Sequence, residues 1–195
     1  MADIPDEDLE LVRRAQAVRS DLRPFAELVR RHEQQVLANC RCISGSADDA
    51  QDLAQEVFVK AYFGLPRFRG EARFGVWVQR IKVNHCLNHL RRRRRRSFVD
   101  VDDPIYVNEP QLQVAPTAEA AAAARDRRQQ IAAALDRLPE SLRVPLVMCD
   151  LDEMSYQDIA DELGIGLSAI KMRIKRGREQ FRQVFARTQE QDEQI

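Results

Sequence analysis

Apolar residues recur at i, i+3 and i+4 along almost the whole chain, and this one periodicity excludes most architectures. Alternating β-type patterning is absent and only 7 of 195 residues are glycine, so the expected fold class is all-α. The pattern predicts a helix near 6–18 with Leu9, Val12 and Ala15 inward. Ser20-Asp21 introduces a second, with Phe25, Leu28, Val29 and Val36 as its stripe. "SGSADD" (44–49) breaks the chain and offers N-cap and first-turn acids to a third helix that buries Leu53, Val57 and Phe58. "GLPRFRGEAR" (64–73) reads as a loop, and a fourth helix follows over about 74–95.

Over 97–117 no helical period is sustained. That stretch holds Pro104, Pro110 and Pro116, and residues 98–118 carry four acids and no base, so it is expected to be a flexible linker. Beyond it, Thr117 caps an alanine-rich helix (118–138) that stops before Pro139, and another helix spans about 140–150. In "SYQDIADELGIGLSAIKMRIKRG" Ser155 and Asp158 resemble a capping box, Gly164 ends a short amphipathic helix, and a second helix opens near Leu167. Two helices joined through a glycine turn form a helix-turn-helix candidate. The expected layout is two small helical domains, 1–96 and 118–187, with a polar tail over 188–195.

A formal net charge of zero conceals segregation. Residues 1–97 hold 19 Lys/Arg against 13 Asp/Glu, and 171–187 hold seven bases and one acid. Blocks of this kind point to polyanion contacts made locally. No apolar run approaches the roughly 18 residues of a membrane span, and the acidic start "MADIPDEDLE" is unlike a signal peptide, so the chain is read as cytoplasmic. Cys40, Cys42, Cys86 and Cys149 are then expected to be reduced, buried thiols. A zinc site drawing in His85 lacks the usual ligand spacing.

On the helix after Leu167, Lys171, Lys175, Arg178 and Arg182 share one side, while Ile170, Ile174, Phe181 and Phe185 share another. The basic side suits a major groove; the competing reading is an ordinary solvated face. In the N-terminal half, Phe58, Tyr62, Phe63, Phe68, Phe74 and Trp77 are interleaved with Lys60, Arg67, Arg69, Arg73, Arg80 and Lys82. Aromatics among bases make surfaces that stack and pair with single strands. Phe58, Phe74 and Trp77 stand at helical positions that suit a core better than a platform, which leaves Phe68 as the residue best placed to touch a base. The run Arg91–Arg96 reads as a nonspecific phosphate contact or a solvated helix end. Neither a nucleophile–base pair, a phosphate-cradling glycine loop nor a metal spacing is legible, so no catalytic residue, metal or cofactor is expected.

The segments "DDAQDLAQEVFVKAYFGLPRFRGEARFGVWVQRIKVNHCLNHLRRRRRR" and "LDRLPESLRVPLVMCDLDEMSYQDIADELGIGLSAIKMRIKRGREQFR" resemble the two conserved domains, sigma-2 and sigma-4, of the extracytoplasmic-function (group IV) sigma factors of bacterial RNA polymerase. The resemblance covers nearly all of residues 8–187. It implies an alternative sigma factor that binds core RNA polymerase, recognises −35 and −10 promoter elements and promotes melting. Asp49, Asp52, Gln55 and Glu56 would dock on the clamp helices of the largest subunit. Phe68, Arg69, Glu71, Trp77, Arg80 and Asn84 would engage the −10 strand. Ser168, Lys171, Met172, Lys175 and Arg176 would meet −35 bases, with Arg173 and Arg178 on phosphates. The acidic linker would mimic transcript in the polymerase RNA path through Asp100, Asp102, Asp103 and Glu109.

The resemblance also implies an anti-sigma factor, commonly membrane-bound, that hides both DNA surfaces; the chain itself is not expected to insert in a membrane. Gln51 stands where the family's "DAEDLVQEVF" has glutamate, and "SAIKMRIKRG" replaces the commoner "GTVKSRLHRA". Two rival expectations differ in partner. One is a helix-turn-helix regulator acting without polymerase; the other is a decoy that binds polymerase or an anti-sigma factor without opening promoters.

Overall fold

The computed structural model describes residues 8–97 and 118–192. Among them every regular element is helical: α1 (Leu9–Ala17), α2 (Arg23–Ser44), α3 (Ala47–Gly64), α4 (Phe74–Ser97), α5 (Ala118–Asp136), α6 (Glu140–Asp150), α7 (Tyr156–Leu163) and α8 (Leu167–Asp192). A short 3-10 turn, Leu65–Arg67, follows α3. The helices match the expected ones, with ends moved by a few residues where a terminal turn gives way to a loop. The predicted linker, apart from Ser97, and the polar tail beyond Asp192 lie outside the described residues. The chain divides into two compact units, Met1–Cys40 with Asp48–Asp103, and Arg41–Ala47 with Pro104–Ile195.

In the first unit the apolar stripes meet as their spacing requires. Val12, Leu28, Val36, Leu53, Val57, Phe74, Val78 and Val83 are buried, each at 4% exposure or less. Cys40 and Cys86 are fully buried with their sulfurs 3.6 Å apart, as small hydrophobes between α2 and α4. The start of α1 is pinned electrostatically: the Asp8 carboxylate lies 3.0 Å from Arg31 and 2.6 Å from His32 on α2.

The second unit is built around α8, which packs on α5, α6 and α7. Ile170 and Ile174 are fully buried with Ile159 and Met148. Ser155 caps α7, its hydroxyl accepting the Asp158 N–H at 3.1 Å and donating to the Asp158 carboxylate at 2.7 Å. Gly164 closes α7 in the left-handed region (φ 65°), and the Ile165 N–H reaches back to the Ala160 carbonyl at 3.1 Å. A side chain with a Cβ would be strained there, so glycine sets the turn into α8.

Candidate nucleic-acid and protein interfaces

The face of α8 opposite its buried isoleucines is open. Ser168, Lys171, Met172, Lys175 and Arg176 are all exposed, Met172 at 50%. Arg173 is half-buried. Arg178 sits elsewhere in electrostatic terms: its guanidinium grips the Asp150 carboxylate of α6 through two nitrogens, at 2.5 and 3.0 Å, and approaches Tyr156 Oη at 3.4 Å. That fork holds the Asp150 carboxyl below the usual carboxylate range and raises the Arg178 pKa further. Five expected base-reading residues therefore share one free surface, while Arg178 already has a carboxylate partner. Nothing local in the sequence signals the pairing, because its partners stand 28 positions apart. Cys149, expected to be buried, is half-exposed beside the pair, with its thiol raised mainly by burial.

In the first unit, Phe68, Trp77 and Phe74 form a cluster, with the Phe68 ring 4.9 Å from Trp77 and 6.1 Å from Phe74. Phe74 is buried completely, as a core reading predicts. Trp77, which the residue pattern placed in the core rather than on a platform, is instead half-exposed. It borders a groove lined by Lys60, Arg80, Asn84, Asn88 and Arg92. Arg80 and Asn84 are exposed one turn apart, the Asn84 amide donating to the Arg80 carbonyl at 3.1 Å. Arg69 and Glu71 are exposed, with a loose 3.9 Å contact between them. The structure thus gathers Phe68, Trp77, Arg80 and Asn84 beside Lys60, which the interleaved pattern had flagged, and Arg92, which the sequence offered only as part of a nonspecific phosphate run. Aromatic faces among cations and amides can stack a base, bond its edge and neutralise its phosphate.

On α3, Asp52 and Gln55 are exposed. Asp49 and Glu56 lean toward α4: Glu56 lies 2.9 Å from His85 Nε2, and Asp49 lies 3.3 Å from His89 Nε2 and 3.9 Å from Arg93. Neither imidazole nitrogen is aligned for a hydrogen bond, so the contacts are electrostatic. Burial, the largest influence, depresses the His85 pKa below its ordinary value, against the pull of Glu56. The i, i+4 histidines in "NHCLNHL" were the available signal for this ladder. Val59 and Phe63, exposed at 54% and 68%, continue the face of Asp52 and Gln55 at helical spacing. Among the described residues no group of three or more His, Cys, Asp or Glu is set to share a metal ion, and no helix is long and apolar enough to cross a membrane.

Two helical units, the second carrying a helix-turn-helix whose second helix presents a basic outer face, have the architecture found in helix-turn-helix DNA-binding proteins. Residues 28–96 match the family model for Sigma-70 region 2, and residues 128–181 match that for Sigma-70, region 4. The chain is 34% identical over 178 residues to the RNA polymerase sigma-H factor of Pseudomonas aeruginosa, covering 89% of this chain and 91% of that one. It is 32% identical over 176 residues to the ECF RNA polymerase sigma-E factor of Escherichia coli, covering 88% and 91%. Among solved structures, CnrH in complex with the cytosolic domain of CnrY matches with a TM-score of 0.58 at 25% identity, over 93% of this chain and 98% of that one. The fold is also that of the sigma factor RpoE solved with the anti-sigma factor NepR from Bartonella quintana, with a TM-score of 0.58 at 21% identity over 83% and 96%. The chain belongs to the extracytoplasmic-function sigma factors of the sigma-70 family. Members of this family are transcription initiation factors, and their chemistry of RNA synthesis belongs to the polymerase.

Proposed function

We propose that this sigma factor is a dissociable promoter-specificity subunit whose two units divide the work. The outer face of α3, with Asp49, Asp52, Gln55 and Glu56 extended by Val59 and Phe63, docks on the clamp helices of core RNA polymerase. The exposed side of α8, with Ser168, Lys171, Met172, Lys175 and Arg176, reads −35 duplex. Phe68, Arg69, Glu71, Trp77, Arg80 and Asn84 hold the −10 strand once it separates. Separation costs a few kcal/mol per unstacked step, which pocket and aromatic contacts offset in the opened state.

The observation that carries the reading is the asymmetry of α8: Ile170 and Ile174 are sealed in the core while the five proposed reading residues are all exposed. A solvated helix would tolerate that pattern too, but here it follows a glycine-turned α7 in a chain of sigma-70 type. By analogy with the complexes of CnrH and RpoE, an anti-sigma factor is the proposed regulator. The boundaries 1–96, 97–117 and 118–187 are the proposed working division, with the acidic stretch between them in the RNA path.

The test is to add the purified chain to core polymerase and map RNA 5′ ends on genomic DNA. Discrete starts that share upstream motifs are expected. Random or absent starts contradict the proposal, and tight promoter binding without polymerase would favour a free-standing regulator instead.

A further inference from the structure

The turn that carries Phe68 is held from outside by one side chain. Gln16, half-buried on α1, donates from Nε2 to the Leu65 carbonyl at 2.8 Å and to the Phe68 carbonyl at 2.9 Å. An amide nitrogen carries two hydrogens, and both are used, one at each end of the Leu65–Phe68 turn. The Leu65 carbonyl also accepts the Phe68 N–H at 3.0 Å, so it is bonded from inside and outside the turn together. Two residues beyond Phe68, Gly70 takes φ 72°, and a Cβ there would lie 3.6 Å from Leu9 Cδ1, again on α1. Helix α1 is in turn fixed by buried Val12 and Ala15 and by Asp8 on Arg31 and His32. On the other side of the turn, Trp77 sits between Phe68 and Gly64, where a Cβ would lie 3.1 Å from its ring.

We propose that Gln16 is a positioning residue for the −10 strand: its two N–H donors fix both carbonyls of the Leu65–Phe68 turn and so set the stance of the Phe68–Trp77 pair toward DNA. Gln16 itself touches no DNA in this account; it acts through the turn. The proposal deepens, and rests on, the assignment of the Phe68–Asn84 surface to the −10 strand. Preorganised groups capture a flipped base without first paying to order themselves, which is why a brace on the turn is felt in opening.

Trp77 is the sole tryptophan, so its fluorescence watches the pair directly in the isolated chain. The variant Gln16→Glu keeps the shape and replaces both donors by an acceptor facing two carbonyls. Gln16→Lys restores N–H donors on a different shape. For Q16E we expect acrylamide quenching of Trp77 to rise about two-fold and open-complex formation on duplex promoter to fall about ten-fold, the scale of two lost hydrogen bonds. Core-polymerase affinity should hold, the loss should be smaller on a template already opened across −10, and Q16K should recover most of both signals.

Wild-type quenching in Q16E, or Q16K as impaired as Q16E, overturns the brace. Altered quenching with unchanged opening overturns the −10 assignment beneath it. Should Q16E lose helicity by circular dichroism, Gln16→Ala, which removes the donors without adding charge, is read in the same way.

Discussion

At Gly177 one hydrogen atom decides how closely two helices approach. A Cβ there would stand 3.2 Å from the Leu142 carbonyl oxygen and 3.5 Å from Leu146 Cβ, so α8 meets α6 at this point because the side chain is missing. Glycine inside a helix costs about 1 kcal/mol relative to alanine, and the close packing offsets that cost. Gly177→Ala is therefore expected to destabilise the protein by up to about 2 kcal/mol, an overpacking cost of about 1–3 kcal/mol less the roughly 1 kcal/mol that alanine gains as the better helix former. Urea denaturation measures it; a stabilised variant would mean that α6 yields freely.

His85 offers a pH-dependent counterpart. Burial lowers its folded pKa below 6.5, helped by Lys60, Arg92 and His89 and opposed by Glu56. The unfolded chain then binds a proton that the folded one refuses. Its contribution to stability is complete above pH 6.5 and is lost as pH falls from there toward the folded pKa. His85→Gln should flatten the pH dependence of the urea midpoint as pH falls below 6.5. An unchanged slope contradicts the assignment. Both residues were hard to read in the sequence, since burial and close approach are set by partners far along the chain.

Elements were more legible than residues. The i, i+3, i+4 spacing gave α2, α3, α4 and α8. It set Leu28, Val36, Leu53, Val57, Phe58, Ile170 and Ile174 correctly inward, because burial and helical period are the same fact seen from two sides. On α4 only Phe74 of its expected stripe is buried. Ser155 and Gly164 marked the ends of α7 by chemistry that acts within four residues. What spacing could not supply was which basic residues of α8 are already engaged. Arg178 carries the Asp150 fork, whereas Lys175 is exposed on the open face of α8.

A surface pair of that kind contributes about 0–1 kcal/mol, so Asp150→Asn should leave stability nearly unchanged. It should nevertheless release Arg178 toward DNA and steepen the salt dependence of binding by about one phosphate contact, a slope change near 0.9. Lys175→Ala is expected to weaken binding to the preferred −35 sequence more than to a scrambled one, by about 1–3 kcal/mol. Titrations of the holoenzyme at several salt concentrations separate the two effects. Equal losses on both sequences for Lys175→Ala would move that residue from base reading to phosphate contact.

For the molecule as a whole, the all-α class and the presence of two units followed from the prevailing helical period and the acidic, proline-bearing stretch in which it fails. On α3 the exposure of Asp52 and Gln55 was legible from helical spacing, whereas the lean of Asp49 and Glu56 toward α4 was not. The continuation of that face through Val59 and Phe63 was not legible either, since an apolar residue in a helix is ordinarily assigned to the core until its exposure is known. Lys60 and Arg92 likewise joined the groove beside Trp77 only through the packing of α3 on α4.

The account rests on separate readers for separate promoter elements. The decisive measurement is initiation by wild type, Lys171→Ala with Lys175→Ala, and Arg80→Ala with Asn84→Ala, across promoters carrying every single-base change at −35 and −10. The α8 changes are predicted to reorder preferences at −35 alone and the α4 changes at −10 alone. Reordering of both elements by either pair, or of neither by both, contradicts the account.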